Sequence, residues 1–387
     1  MTNRFTDAKS RPCSSPADLP PLPRIEWSDI GQTAPTVKDL GTPDKEAPLP
    51  SADIVVITWT STEWNALDHV FVNSGTEAHV SSEEFRKGWH LRSNDAEIKG
   101  AYNLWGFYKM VQISNANGAT LDVLLFKADA HLSHPPYAQG LVDMVSLIIA
   151  EAKPDRLYTI GTSGGASVNE KLGDTVVTNA GHLKIEHDIN KSVKIDGGTV
   201  DLDGKTVSCS SWFPDTGLFD KVQDHLLFKL SSVVTPDYLA YMLCEAIHDD
   251  EAGDDSWDGK YTVADLTNSA LENLNTPKGL NRQNVPLLTT DFYYIAAGDD
   301  AADYSALEMD DALIGLTAGS LGTDYVFIRN ISDPIVPTTT RNGDTIPTEL
   351  REAWSSQIYT RYGFYTSMNG ALLTWATIAG DTDLGKT

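Results

Sequence analysis

Four short apolar runs, rich in β-branched residues, limit how this chain can fold. They are Ile54-Val-Val-Ile-Thr58, Leu121-Asp-Val-Leu-Leu-Phe126, Arg156-Leu-Tyr-Thr-Ile160 and Tyr325-Val-Phe-Ile328. The first is followed by Trp59-Thr-Ser-Thr62 and the others at once by Lys127, Gly161 and Arg329. Runs this short and this continuous suit strands covered on both faces, as in a sheet with helices on either side. Helical spacing of apolar residues follows the first run at Trp64–Phe71 and the second at 137–152. It returns at 238–247 and in a long segment from Thr348 to Ala379, which reads as an amphipathic helix. Strands alternating with helices of this kind predict an α/β domain.

Acids outnumber bases 54 to 29, so the chain carries a formal net charge of -25. That surplus argues against a nucleic-acid backbone or an anionic membrane surface as partner. The three cysteines, Cys13, Cys209 and Cys244, are far apart and show no metal-ligand spacing. They suggest a reducing compartment and no disulfide framework. With no apolar leader visible near Met1 and no run long enough to span a bilayer, the expected location is the cytoplasm.

Residues 1–50 are rich in Pro, Ser, Asp and Thr and read as an arm or linker, with Ile25, Trp27 and Ile30 available to strap it onto a domain. The folded part opens at Ala52. Glu63 stands just past the first strand, at the start of a helix, where the helix dipole would favour it as a cap or as a functional acid. Phe85–Gln112 reads as strands or loops carrying a basic cluster of Arg86, Lys87 and Arg92. His131 and His134 have the spacing of a metal pair, but no third ligand is evident, so no metal or cofactor is expected. Gly161-Thr-Ser-Gly-Gly165 reads as a glycine turn after the third strand, and Leu172-Gly-Asp174 as a tight turn. It matches neither a P-loop nor a dinucleotide fingerprint. Residues 179–285, including an acidic loop at Asp249–Asp255, are the least patterned part. Two acid-bearing stretches remain: Glu308-Met-Asp310, running into an apolar helix, and Asp333, closing the fourth strand. Acids at strand ends and helix starts sit where α/β proteins place their chemistry.

Taken together, these segments resemble the nucleoside phosphorylase and nucleosidase superfamily. The matching motifs are Ile54–Glu63, Gly161–Gly165 through Gly173-Asp-Thr-Val-Val177, Thr290-Asp-Phe-Tyr-Tyr294, and the pair Glu308-Met309-Asp310 and Ile331-Ser-Asp333. Among its members, the motifs sit nearest the methylthioadenosine/S-adenosylhomocysteine nucleosidases. The resemblance implies a three-layer αβα domain around a mixed, partly closed sheet, spanning residues 51–387 with an enlarged middle region at about 179–285. It implies a homodimer or larger oligomer acting on a small purine nucleoside or nucleotide. By position, Asp333 would protonate the purine and Glu63 would activate water. Glu308, Met309 and Asp310 would hold the ribose, Phe292 and Tyr293 would stack on the base, and Ser163 and Gly164 would border sugar and base. Lys127-Ala-Asp-Ala-His131 stands where phosphorylases of the family carry a glycine-rich phosphate loop, which favours hydrolysis over phosphorolysis. Arg86, Lys87, Lys127 and Arg341 are candidates for a 5′-phosphate. A binding or storage protein on the same fold is the non-catalytic alternative.

Overall fold

A computed structural model of the protein describes residues 13–93, 104–248, 253–297 and 300–385. The acidic loop at 249–255 is described only from Gly253 onward, and Tyr102 and Asn103 of the aromatic stretch lie outside the described residues.

The four apolar runs are strands. In chain order the elements begin with β1 (Thr36–Val37), β2 (Ile54–Thr58), α1 (Ser61–Phe71), β3 (His90–Ser93), β4 (Leu104–Ser114), β5 (Thr120–Ala128), α2 (Tyr137–Ala152) and β6 (Arg156–Gly164). The middle holds β7 (Thr175–Thr178), β8 (Ala180–Lys184), β9 (Ser192–Ile195), β10 (Gly198–Asp201), β11 (Thr206–Ser208), α3 (Phe219–His225), α4 (Pro236–Ile247), α5 (Val263–Leu266) and β12 (Gly279–Asn281). The chain closes with β13 (Leu287–Thr290), β14 (Leu307–Glu308), α6 (Asp311–Ser320), β15 (Asp324–Asp333) and α7 (Thr348–Gly380).

Thirteen strands among the described residues form one mixed sheet. β2 runs parallel to both β5 and β6, and β6 runs parallel to β15. β15 pairs with β7 in antiparallel fashion, and the chain passes from β7 almost directly into β8. β8 pairs with β13, β13 with β14, and β14 returns to β6 at Leu307 opposite Gly164. The sheet therefore curls back on itself at the carboxyl end of β6. Its strands alternate between two apolar cores. Ile54, Val56, Tyr158, Ile160, Val326 and Ile328 face α1 and α7, whereas Val55, Ile57, Leu157, Tyr325 and Phe327 face α2 and α6. Period-two alternation into two separate cores is the signature of a three-layer αβα domain.

Two expectations change. α7 is amphipathic only in its first half, where Thr348, Glu349, Ser356 and Thr360 are exposed; every residue from Tyr362 to Gly380 is buried. Besides the sheet, α1, α3, α4 and the N-terminal segment cover the helix, so no face of this second half is left to be polar. Its polar residues find partners inside instead, as when Asn369 donates to the carbonyl of Gly173 in the tight turn before β7. The second change is a disulfide between Cys13 and Cys244, with Cα atoms 5.8 Å apart. It joins the start of the described chain to α4, across a sequence separation of 231 residues. Spacing could not reveal a pair that only the fold brings together, and the cysteine count no longer argues for a reducing compartment. Beyond Cys13, the segment lies along the domain with Leu22, Ile25, Trp27 and Ile30 buried, and the Trp27 ring sits 4.5 Å from that of Trp375 in α7. No helix among the described residues is long and apolar enough to cross a membrane.

Because the disulfide closes a long loop, Cys244→Ser should lower the free energy of unfolding by about 2–4 kcal/mol. Urea denaturation of the variant against the oxidised parent measures this. Identical midpoints would mean that the bridge does not constrain the unfolded chain.

Candidate active site

A cavity of about 540 Å³ opens at the carboxyl ends of β2, β6, β13 and β15, roofed by α7. In an α/β sheet this edge is where strand ends and helix starts leave polar groups facing one space.

The floor is built by Glu63. Thr60 caps α1, and Glu63 closes a reciprocal capping box with it, which is the structural role the sequence allowed. The carboxylate also does more than cap. One oxygen accepts from the backbone N–H groups of Trp59 (3.1 Å) and Thr60 (2.9 Å) and from the Thr58 hydroxyl (3.2 Å). The other accepts from the N–H and hydroxyl of Thr162 in β6, both at 2.8 Å. Burial works to raise its pKa, but Arg329 and the bonds from Thr162 and Thr60 outweigh it. Glu63 is held below the ordinary 4.5 of a glutamate.

Arg329 lies inside β15, a buried charge directly after the apolar run Tyr325–Ile328. Its Nε donates to Asp311 at 2.7 Å, a second nitrogen bonds the other Asp311 oxygen, and Glu308 stands 3.2 Å away. The guanidinium also donates to the Thr162 carbonyl at 3.3 Å and lies over the Trp59 ring at 5.1 Å. Gly161 makes this possible. It pairs directly with Arg329, and a Cβ there would come within 2.1 Å of the guanidinium. The sequence predicts a glycine turn at 161–165, yet residues through Gly164 belong to β6, and Gly161 serves to admit the arginine rather than to turn the chain.

Above them, Glu308 accepts the N–H groups of Asp310 (2.6 Å) and Asp311 (2.9 Å) and bonds the Thr289 hydroxyl. Glu308 thus caps α6, and Asp310, at the cap position, makes no cap bond of its own. Burial and the charge of Asp311 push Glu308 upward, opposed by Arg329. Asp310 is pushed up to about 7, by burial first and by its acidic neighbours. On the far side Asp333 ends β15 next to a register shift between Ile331 and Asp333, a bulge that re-aims the side chain. Burial raises Asp333 to about 7, with Glu63 adding to the rise and the Ser332 hydroxyl opposing it. Phe292, Tyr293 and Tyr294 follow β13 and line the same cavity as Asp333; Tyr293, near enough to feel the Asp333 charge, is half exposed at its mouth. From α7, Arg351 donates to the carbonyls of Ala296 (2.6 Å) and Val336 (3.1 Å). It clasps together the loops that follow Tyr294 and Asp333. Tyr359 from the same helix feels both Glu63 and Asp333, and burial pushes its hydroxyl up to about 12.

Of the residues singled out from sequence, Glu63, Ser163, Gly164, Phe292, Tyr293, Glu308, Met309, Asp310 and Asp333 line this one cavity. The four basic candidates do not. Arg86 pairs with Glu83, Lys87 with Glu84 and Lys127 with Asp129, while Arg341 donates to the Ala264 carbonyl. Arg92, grouped with them by sequence, is buried against Glu151. Arg86, Lys87 and Lys127 are taken by acids two or three residues away, as expected in a chain with surplus acid. Asp291 is also turned away, accepting from Glu186, His187 and Asn190. Sequence reading missed Arg329, Thr162, Trp59, Tyr359 and the placement of His131 in the wall. The signal for Arg329 was present, since a buried strand carries a charge only where a partner waits.

No protein-family model matches this chain, and comparison with curated proteins finds no match. Solved structures do match. The 5′-methylthioadenosine/S-adenosylhomocysteine nucleosidase of Neisseria meningitidis, in complex with methylthio-immucillin-A, is 13% identical; the match covers 84% of this chain and 98% of that one, with a TM-score of 0.41. The Streptococcus pneumoniae MTA/SAH nucleosidase, in complex with 8-aminoadenine, is 13% identical over 85% of this chain and 100% of that one, with a TM-score of 0.43. A mutant of the Helicobacter pylori futalosine hydrolase is 10% identical over 84% and 98%, with a TM-score of 0.40.

Arg329→Met would leave Asp311 and Glu308 buried without their cation. The expected loss of stability is about 3–5 kcal/mol, read by urea denaturation at pH 7. A loss under about 1 kcal/mol would mean the acids do not depend on the guanidinium.

Proposed function

We propose that this protein hydrolyses the N-glycosidic bond of a purine nucleoside, adenosine-type nucleosides first among them. The observation that carries this reading is a pair of carboxylates facing one cavity with opposite titration. Asp333 is pushed up to about 7 and Glu63 is held below the ordinary glutamate value. Two acids separated in this way suit an acid and an anionic partner in one reaction. Asp333 would give its proton to the purine at N7 as the bond to the sugar breaks, so that the base leaves neutral. Phe292 and Tyr293 offer aromatic faces beside that acid. The sugar passes through an oxocarbenium-like state, which the surrounding carboxylates stabilise. Met309 and Asp310 would hold the ribose hydroxyls. Glu63, ionised and fixed by its five donors, would orient the attacking water and take its proton as the new C–O bond forms.

Water rather than phosphate is favoured by charge. Among the described residues, the cavity wall holds one Lys or Arg side chain, Arg329, already committed to Asp311, Glu308 and Thr162. Glu63, Glu308, Asp310, Asp333 and Glu352 face the same space. A phosphate nucleophile or a 5′-phosphate would meet those acids without a free cation to receive it. The same argument favours nucleosides over nucleotides.

Asp333→Asn should lower kcat for adenosine at least about a hundredfold, read by adenine release. Since Asp333 must be protonated and Glu63 ionised to act, kcat/KM should hold level from about 7 down to the Glu63 titration below 4.5. It should then fall about tenfold per unit as pH rises past about 7. A profile that rises through neutrality, or an unchanged rate in the variant, removes Asp333 from the role. Glu63→Gln keeps a capping group but not the charge. It should abolish hydrolysis while nucleoside binding, followed by calorimetry, stays within about threefold. Hydrolysis at the parental rate would exclude Glu63 as the water-activating group, and turnover that requires added phosphate would replace hydrolysis with phosphorolysis.

A further inference from the structure

His131 sits in the loop after β5 and lines the cavity, with its ring stacked at 4.5 Å on that of His134. Its two nitrogens are assigned by their partners. Nδ1 faces the backbone N–H of Ser133 at 3.1 Å, and a backbone N–H can only donate. Nδ1 is therefore the acceptor, the Ser133 hydroxyl at 2.8 Å donates to it as well, and the ring proton resides on Nε2. Nε2 lies 3.2 Å from Asp310 Oδ2, a close approach rather than an aligned hydrogen bond. The other Asp310 oxygen accepts the backbone N–H of Leu132 at 2.9 Å. Two consecutive residues of one loop thus meet the two oxygens of a single carboxyl group, Leu132 through a hydrogen bond and His131 through close packing. Asp310 is available for this because Glu308 has taken over the capping of α6.

We infer that the Ser133–His131 pair is a positioning device that holds the Asp310 carboxylate toward the ribose hydroxyls and thereby sets the preference for ribosides over deoxyribosides. The ring does this as a neutral group packed against the carboxyl, since burial drives the His131 pKa down to about 4, with Arg329 adding to the fall and Glu63 opposing it. A neutral ring restricts the carboxyl group without adding a countercharge to whatever charge a sugar hydroxyl would meet there. A site built to bond a hydroxyl rejects a substrate that lacks it, because its own polar groups are then left unpaired. That rejection depends on the carboxylate being held in place. The inference rests on the nucleosidase reading, and its test separates the two.

The experiment measures kcat/KM, and calorimetric affinity, for adenosine and for 2′- and 3′-deoxyadenosine. The proteins are the parent chain, His131→Ala, His131→Gln and Ser133→Ala. The parent is expected to favour adenosine over at least one deoxy analogue by about a hundredfold or more. His131→Ala should cut that ratio at least about tenfold. His131→Gln, which can place an amide N–H near the position of Nε2, should recover most of it. Ser133→Ala keeps the backbone donor but loses the hydroxyl, so it should give a smaller drop in the same ratio, and it serves if His131→Ala does not fold. A ratio unchanged in both His131→Ala and Ser133→Ala overturns the inference, as does a parent that treats ribosides and deoxyribosides alike while cleaving both. A parent that neither binds nor cleaves any of the three overturns the nucleosidase reading and the inference together.

Discussion

The guanidinium of Arg329 is the contact on which the rest of the site depends. It is buried among Asp311, Glu308, the Thr162 carbonyl and the Trp59 ring, and it draws Glu63 toward the ionised form. Without one cation at the centre, so many carboxylates could not share so small a space in a low-dielectric interior. The guanidinium also ties separate elements into one unit, joining the end of β2, the middle of β6, the strand β15 and the start of α6. Gly161 is the local cost of this arrangement, because only a residue without a side chain leaves room for the arginine to cross β6. With Arg329 occupied, the acids around it divide into different states. Glu63 stays charged under many donors, while Asp333, which accepts from the Ser332 hydroxyl, is raised by burial.

Rigidity around this centre comes from the opposite side of the cavity. α7 is buried on all sides along its second half, and its first turns supply Arg351 and Tyr359. Arg351 fastens the loop bearing the aromatic residues to the loop that follows Asp333. The N-terminal segment is laid across the same helix, with Tyr365 donating to the Pro20 carbonyl and Trp27 packed on Trp375. The disulfide to α4 fixes the start of that strap. The segment whose Ile25, Trp27 and Ile30 could strap it onto a domain does so on the second half of α7.

Much of the framework was legible in the residues. A continuous β-branched run such as Ile54–Thr58 can be satisfied only between two apolar layers, and helix α2 begins and ends where its spacing predicts, at Tyr137 and Ala152. Short-range rules failed where a residue's partner is distant in sequence. Gly161 looks like a turn residue until Arg329 is known to pass over it. Cys13 looks isolated until the fold brings Cys244 to it. His131 and His134 looked like a weak metal pair, whereas His131 is spoken for by Asp310, far along the chain. The basic residues erred the other way. Arg86 and Lys87 were satisfied by Glu83 and Glu84 a few residues away, so nothing was left to reach the cavity.

By itself, the sequence determined the class of fold and the identity of the acids at the strand ends, since both follow from local pattern: apolar period, strand length and the residue that ends each run. Only the tertiary structure decided what state each acid holds. Protonation and hydrogen bonding depend on burial and on charges brought close by folding, and those distances are not written in the spacing of residues along the chain. Glu63 and Asp333 are both acids near the end of a buried strand. One is held ionised and the other pushed toward its neutral form, because one folded beneath Arg329 and the backbone donors of α1 and β6, and the other beside the aromatic wall.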